Sequence, residues 1–337
     1  NRIVLVDHEA ESLLPSFGAT HDGLRPPVPS TDGLPLEAVM SASVDHAKVA
    51  PSPQTTIDLA VLYTSGMVTK YGNTAGVISR INLLVQVTND AYLNSEVAIT
   101  LNLLGTQLTS YANSNTNETA LEELTGKNTS SGCLLSGCPD LVPLPSIASE
   151  ARAMRDSLGA DLVTLVRPYS FAATNGSCGL AWVYQGVPSL TYSAQFGYSV
   201  IGDGTDSVSN FYCRTDTLAH ETGHNMGLEH DRPNTSQPGV TYFAYGYGLN
   251  YPIGNPYRAA LGDIMSYAAV GVPFFSSPNV HCNATTLTCQ LLGAGTPLGA
   301  AGDTDLGACT TNPATCADNA RALNYVRSTI ASFRNRA

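Results

Sequence analysis

The sequence predicts an α/β fold built in layers, because extended apolar runs alternate with stretches of helical spacing along the middle of the chain. Two other observations agree. Hydrophobic residues make up 43% of 337, ample for a core, and the regular middle is flanked by proline-broken sequence before it and Gly-, Pro- and Tyr-rich sequence after it.

Ile57–Thr64 reads as a buried strand. Thr74–Ser95 carries Val77, Ile81, Leu84, Val85, Thr88, Ala91 and Tyr92 at helical spacing and reads as a long helix. Val97–Gln107 alternates as a second strand, and a polar stretch with a short helix near Glu118–Leu124 follows. Ile147–Leu158 is an amphipathic helix and Ala160–Val166 a strand; Cys178–Tyr184 and Phe196–Ile201 are two more, five in all. A helix from Thr215 to Met226 comes next, and the chain closes on a helix reaching about Arg334. Between them little regular structure is expected. Residues 1–55 are broken by Pro15, Pro26, Pro27, Pro29, Pro35, Pro51 and Pro53 and by the turn signals Asp22-Gly23 and Asp32-Gly33. They read as a pro-segment or an arm wrapped on residues 56–337.

Lys and Arg total 16 against 27 Asp and Glu, a net charge of −11, which disfavours nucleic acid and anionic membrane as partners. No run of 18 apolar residues exists to span a membrane. The eight cysteines all lie between Cys133 and Cys316, and disulfides in an oxidising compartment are the plain reading. Closeness in sequence suggests Cys133–Cys138, Cys282–Cys289 and Cys309–Cys316, leaving Cys178 with Cys213. No leader sequence precedes Asn1, so the expectation is a processed, secreted, extracellular chain, acting as a monomer.

The chemistry is concentrated in Thr217–Asp231. Three of the seven histidines fall within eleven residues, and His220 and His224 are four apart, on one face of a helix. Gly227 can adopt the left-handed conformation that ends a helix, which brings His230 round as a third nitrogen ligand. Zn2+ suits this set, and three protein ligands leave a position for water. Glu221, beside the first histidine, can take a proton from that water. A chance histidine pair is the bland alternative for the first five residues alone.

The full pattern His220-Glu221-x-x-His224-x-x-Gly227-x-x-His230, with Asp263-Ile264-Met265-Ser266-Tyr267 downstream, resembles the metzincin zinc peptidases. Asp231 after His230 is similar to the reprolysin-like branch, and Ala317–Asn324 with the last helix looks like the end of its bacterial members, including the peptidyl-Asp metallopeptidases. The resemblance implies a twisted mixed five-stranded sheet with a long backing helix and an active-site helix, and an irregular lower subdomain (about 228–337) under an upper one (about 56–227). It assigns Met265 to a turn beneath the histidines. It makes Gly179, Leu180, Ala181 and Trp182 the edge strand that binds a protein or peptide substrate in extended form, although Trp182 by itself reads as a core residue. Tyr267 either stabilises the oxyanion or packs in the turn.

By the same analogy Ala268–Phe275 floors the main side-chain pocket. That segment is apolar, so an apolar pocket stands against cleavage before Asp, for which Arg167, Arg214 or Arg258 would have to supply a cation. Since no cysteine precedes Cys133, a carboxylate from Asp22 or Asp32 is the candidate for latency. Asp203-Gly204-Thr205-Asp206 and Asp303-Thr304-Asp305 invite a calcium reading, with solvated turns as the alternative. A binding or adhesion module on the same scaffold is the competing function; an intact Glu221 argues against it.

Overall fold

The computed structural model describes residues 23–24, 53–127, 139–186, 190–235, 239–241, 244–249, 259–283, 288–301 and 316–334. One sheet organises the first two thirds. Its strands are β1 (Gly23–Leu24), β2 (Thr55–Thr64), β3 (Ile99–Thr109), β4 (Leu162–Pro168), β5 (Gly179–Trp182), β6 (Tyr198–Thr205) and β7 (Tyr212–Cys213). They lie in the order β1-β5-β6-β4-β2-β3, with β7 pairing β6. β2 is parallel to β3 and to β4, and β4 to β6, whereas β5 and β7 run antiparallel to β6. The five expected strands are all present within a few residues of their expected bounds. Two-residue additions at β1 and β7 take the sheet to seven, too short to leave a pattern in the sequence.

Parallel neighbours need crossover connections, and helices supply them on both faces. The long helix Thr74–Asn94 joins β2 to β3, and Asn117–Thr125 with Ser146–Leu158 join β3 to β4. Alternate residues of β2 serve the two faces, as the pleat requires. Ile57, Leu59, Val61 and Tyr63 enter one core with Val77, Ile81 and Leu84 of the long helix and Leu323, Val326 and Ile330 of the final helix Asn319–Ile330. Ala60 and Leu62 enter a second core with Leu121, Ile147 and Met154. The long helix starts where the Asn73 side chain accepts the Gly76 N–H at 2.9 Å. A buried arginine secures the second layer: Arg155 donates to the carbonyls of Ala160, Asp161 and Ala194.

The lower part is more regular than its composition suggests. Among the described residues after His230 the strands are β8 (Gly248–Leu249), β9 (Ala259–Gly262), β10 (Ala268–Gly271), β11 (Ser277–Asn283), β12 (Thr288–Leu291), β13 (Thr296–Leu298), β14 (Ala300–Ala301) and β15 (Cys316–Ala317), which form three small sheets in the orders β10-β9-β8, β12-β11-β13 and β14-β15. Such strands are shorter than the alternation that makes a strand legible. Leu261, Val272, Phe274, Val280, Cys282 and Leu298 form a third core there.

Cys178–Cys213 and Cys282–Cys289 are bonded as expected. Cys133, Cys138 and Cys309 lie outside the described residues. The calcium reading of Asp203–Asp206 is corrected: Arg80 donates to the Asp203 carboxylate through Nε at 3.0 Å and Nη2 at 2.9 Å, and the Tyr71 hydroxyl adds a third bond. Asp206 accepts the N–H groups of Phe171 and Val208 and the Ser209 hydroxyl. A cationic side chain fills the role that an ion would have. Asp303–Asp305 lies outside the described residues.

Candidate metal centre and cleft

The helix Thr217–Asn225 carries His220, Glu221 and His224. It ends at Met226, and Gly227 follows at φ +88°, the left-handed conformation that only glycine adopts freely. A Cβ there would also fall 2.4 Å from Val240 and 2.7 Å from the Tyr184 carbonyl. The chain therefore turns back tightly, and His230 arrives beside the other two.

The Nε2 atoms of the three histidines converge. His224 Nε2 lies 3.1 Å from those of His220 and His230, which are 3.2 Å apart. Two nitrogens each 2.0–2.1 Å from one tetrahedral ion lie about 3.3 Å apart, so the donor set fits a single zinc-sized ion. His220 Nδ1 lies 2.7 Å from the Ile264 carbonyl and His224 Nδ1 2.8 Å from the Leu228 carbonyl. A carbonyl only accepts, so each Nδ1 carries the proton and each Nε2 directs its lone pair at the shared point.

Met265 is fully buried, directly beneath the helix: a Cβ on Gly223 would lie 2.8 Å from its Sδ. Tyr267 reaches the triad, its hydroxyl 3.2 Å from His230 Nε2 and its N–H donating to Asp231 at 3.2 Å. Asp263 anchors the same turn by accepting the N–H groups of Tyr247 and Ser276 and the Asn319 amide. Burial pushes the Asp263 carboxyl up to about 7 against the Tyr247 and Ser276 bonds, and the charge of Asp231 adds to the rise.

Glu221 is buried, with its carboxylate resting on the backbone of Gly179 at the start of β5; a Cβ at Gly179 would come within 2.2 Å of Oε1. Asn225 holds helix and sheet together, its amide donating to the Trp182 and Tyr198 carbonyls at 3.0 Å each. Neither Asn225 nor Asp263 stood out in the sequence. Each is a lone polar residue whose meaning lies in partners far along the chain.

One expectation for β5, that it forms the edge of the sheet, is corrected. Trp182 offers no side chain to a cleft, being 2% exposed, with its indole N–H donating to Thr125 and its ring edge-on to Phe196. Leu180 and Ala181 are likewise buried, so this strand has its backbone to give. Nor is β5 the outermost strand: Gly23 and Leu24 pair with Ala181 and Trp182 in parallel. Asp22 and Asp32 lie outside the described residues. Of the segment expected to floor the pocket, Val272 and Phe274 pack into the third core, and Phe275 stacks on Tyr92 at 5.5 Å. Their apolar character belongs to the interior.

Of the three candidate cations, Arg167 is buried in the upper layer with Nη1 and Nη2 on the side chains of Asn115 and Asn117. Arg258 lies outside the described residues. Arg214 precedes the histidine helix, with its guanidinium against Gly271. None of the described helices is long and apolar enough to cross a membrane.

Residues 53–272 match the model of a family described as metallo-peptidase family M12. The chain is 27% identical over 337 residues to a peptidyl-Asp metalloendopeptidase of Stenotrophomonas maltophilia, covering 99% of this chain and 64% of that one. It is 28% identical over 334 residues to a protein of the same description from Xanthomonas campestris, covering 97% and 59%. The chain thus spans roughly three fifths of these relatives' length. Among solved structures, a chain in a chaperone–substrate complex superposes with a TM-score of 0.54 at 18% identity, over 84% of this chain and 39% of that one. That likeness concerns the fold.

Proposed function

The chain belongs to metallo-peptidase family M12, and from this we propose that it is a secreted zinc endopeptidase cutting protein substrates before aspartate. One observation carries the reading: three Nε2 atoms within 3.2 Å of one another sit beside a buried glutamate that is not needed to hold the ion. Zinc, when bound there, would polarise the substrate carbonyl and bring a water's pKa towards neutrality.

The protein's own residues do the rest. His220, His224 and His230 hold the ion, with two of the rings fixed by backbone carbonyls. The substrate lies extended along the backbone of β5, and Glu221, held against Gly179, takes the proton from the attacking water and passes it to the leaving amine. The Tyr267 hydroxyl, already at the triad, donates to the negative charge that develops on the carbonyl oxygen. Disulfides support an oxidising, extracellular setting. Aspartate is supported by the bacterial relatives' description as peptidyl-Asp metalloendopeptidases.

Residues 1–55 act as an inhibitory segment in the same reading, with Asp22 or Asp32 facing the metal. The parallel pairing of Gly23–Leu24 on β5 supports this, because it uses strand backbone that a substrate would need.

Hydrolysis of casein with and without a chelator, followed by sequencing of the products, tests the reading. Chelator-sensitive cuts with Asp on the C-terminal side are expected. Chelator-sensitive cuts before bulky apolar residues would favour an apolar pocket instead. No chelator-sensitive cleavage would leave a binding module on a peptidase scaffold.

A further inference from the structure

The Glu221 carboxylate takes its place from Gly179, so whatever holds the peptides of Gly179 also holds the proposed base. A Cβ there would meet Glu221 Oε1 at 2.2 Å, Cδ at 2.7 Å and Cγ at 2.8 Å. Two peptide planes flank this Cα. The one before it is fixed by the sheet, because the Cys178 carbonyl accepts the Gly202 N–H at 2.6 Å. In an antiparallel pair such bonds fall on alternate residues, and Gly179 is one step on, opposite Ile201. The Gly179 carbonyl therefore turns away from β6, to the outer side of β5, where β1 reaches Ala181 and Trp182.

A side chain holds this second peptide. The Ser177 hydroxyl donates to the Gly179 carbonyl at 2.7 Å. That hydrogen is the only one the hydroxyl has, so towards Asn117 it accepts: the Asn117 amide donates to the Ser177 hydroxyl at 2.9 Å and to the Ser177 carbonyl at 3.1 Å. The Asn117 oxygen is thereby turned to Arg167, which has only hydrogens to give and donates through Nη2 at 2.7 Å. The chain Arg167–Asn117–Ser177–Gly179 thus runs one way, each donor fixed by its neighbour. Arg167 and Asn117 are 1% and 3% exposed. The arginine's Nη1 donates to the Asn115 side-chain oxygen, so both bonded nitrogens meet amide oxygens and neither meets a carboxylate. A buried cation without an ion pair is costly. Here its charge strengthens a line of donors in which each bond polarises the next.

Resting on the reading of Glu221 as the base of a metal peptidase, we propose that Ser177 is a positioning residue for the reaction, with Asn117 and Arg167 orienting its hydroxyl. The sheet holds one of the two peptides at Gly179 and Ser177 holds the other, so the carboxylate meets the same backbone surface at every turnover. Ser177 acts on the base through Gly179 and not on the substrate.

The test is steady-state kinetics on one peptide substrate beside zinc analysis. Ser177→Ala should lower kcat by about three- to tenfold, the range of one neutral hydrogen bond, with KM within about twofold of wild type and zinc content unchanged. Ser177→Thr keeps the hydroxyl and should restore kcat. Asn117→Asp still accepts from Arg167 but has no hydrogen to give, so the Ser177 hydroxyl turns to the carboxylate and leaves Gly179. Its kcat should fall as in Ser177→Ala, and the double variant should be no slower than either alone, whereas losses of packing would add. A Ser177→Ala enzyme with kcat within about twofold of wild type overturns the proposal and leaves the peptidase reading standing. Additive losses in the double variant, or losses shared with KM and zinc content, overturn it by making the network a structural brace. A wild type without chelator-sensitive cleavage removes the peptidase reading and this one together.

Discussion

Gly179 and Glu221 share one space: the carboxylate of Glu221 lies where a side chain at residue 179 would be, 2.2 Å from the Cβ position. The strand thereby sets the position of the proposed base. Gly179 has no positive φ, so alanine meets no backbone objection there. Gly179→Ala should displace the carboxylate and lower kcat by about 100-fold, the low end for a general base, with metal content unchanged. Kinetics beside zinc analysis would check this, and a kcat within twofold of wild type would show that the carboxylate has another productive position.

Glu221→Gln removes the proton acceptor and no metal ligand. Zinc content should stay at wild-type level while turnover falls by about 10²- to 10⁴-fold. Residual activity above about a tenth would take the role of base away from Glu221.

His230→Ala should act differently, lowering zinc occupancy and melting temperature together, since metal binding is coupled to folding. Metal analysis after gel filtration is the measurement, and full occupancy in the variant would exclude His230 as a ligand.

Removal of residues 1–52 should uncover the backbone of β5, which Gly23 and Leu24 now cover at Ala181 and Trp182. Initial rates on a peptide substrate should rise by tenfold or more. Equal rates before and after would make the segment a structural arm, and the pair Asp22→Ala and Asp32→Ala would then also be silent.

Asp318 gives a pH signature away from the metal. Its carboxylate caps the last helix by accepting the Arg321 N–H at 3.0 Å, and burial pushes its pKa up to about 6 despite that bond and the Arg321 charge. The folded state therefore binds this proton more tightly than the unfolded state. Its contribution is fully present below the ordinary carboxylate range near 4 and is lost as pH rises through about 6. Asp318→Asn keeps a capping oxygen and removes the titration, so melting temperature measured from pH 4 to 7 should fall less steeply than in wild type.

Much of this architecture is legible in the sequence. The continuous apolar run Ile57–Thr64, buried on both faces, marks β2, and the helical spacing from Val77 to Tyr92 marks the long helix, because burial on one face of a helix leaves a period. The triad is legible because its ligands are close in sequence. What is hidden is set by contacts between distant residues. Trp182 reads as a core residue from its type alone, but its partners, the Thr125 hydroxyl and the Phe196 ring, lie far along the chain and leave no mark in the sequence. Asp203 looks like a calcium ligand until Arg80, 123 positions earlier, takes its carboxylate.

The bond between Cys178 and Cys213 joins two points that matter in different ways. Cys178 immediately precedes Gly179, the seat of Glu221, and Cys213 leads into the helix Thr217–Asn225, which carries Glu221 itself. A single crosslink across 35 residues therefore couples the base's support to the helix that bears the base, so that neither loop relaxes alone.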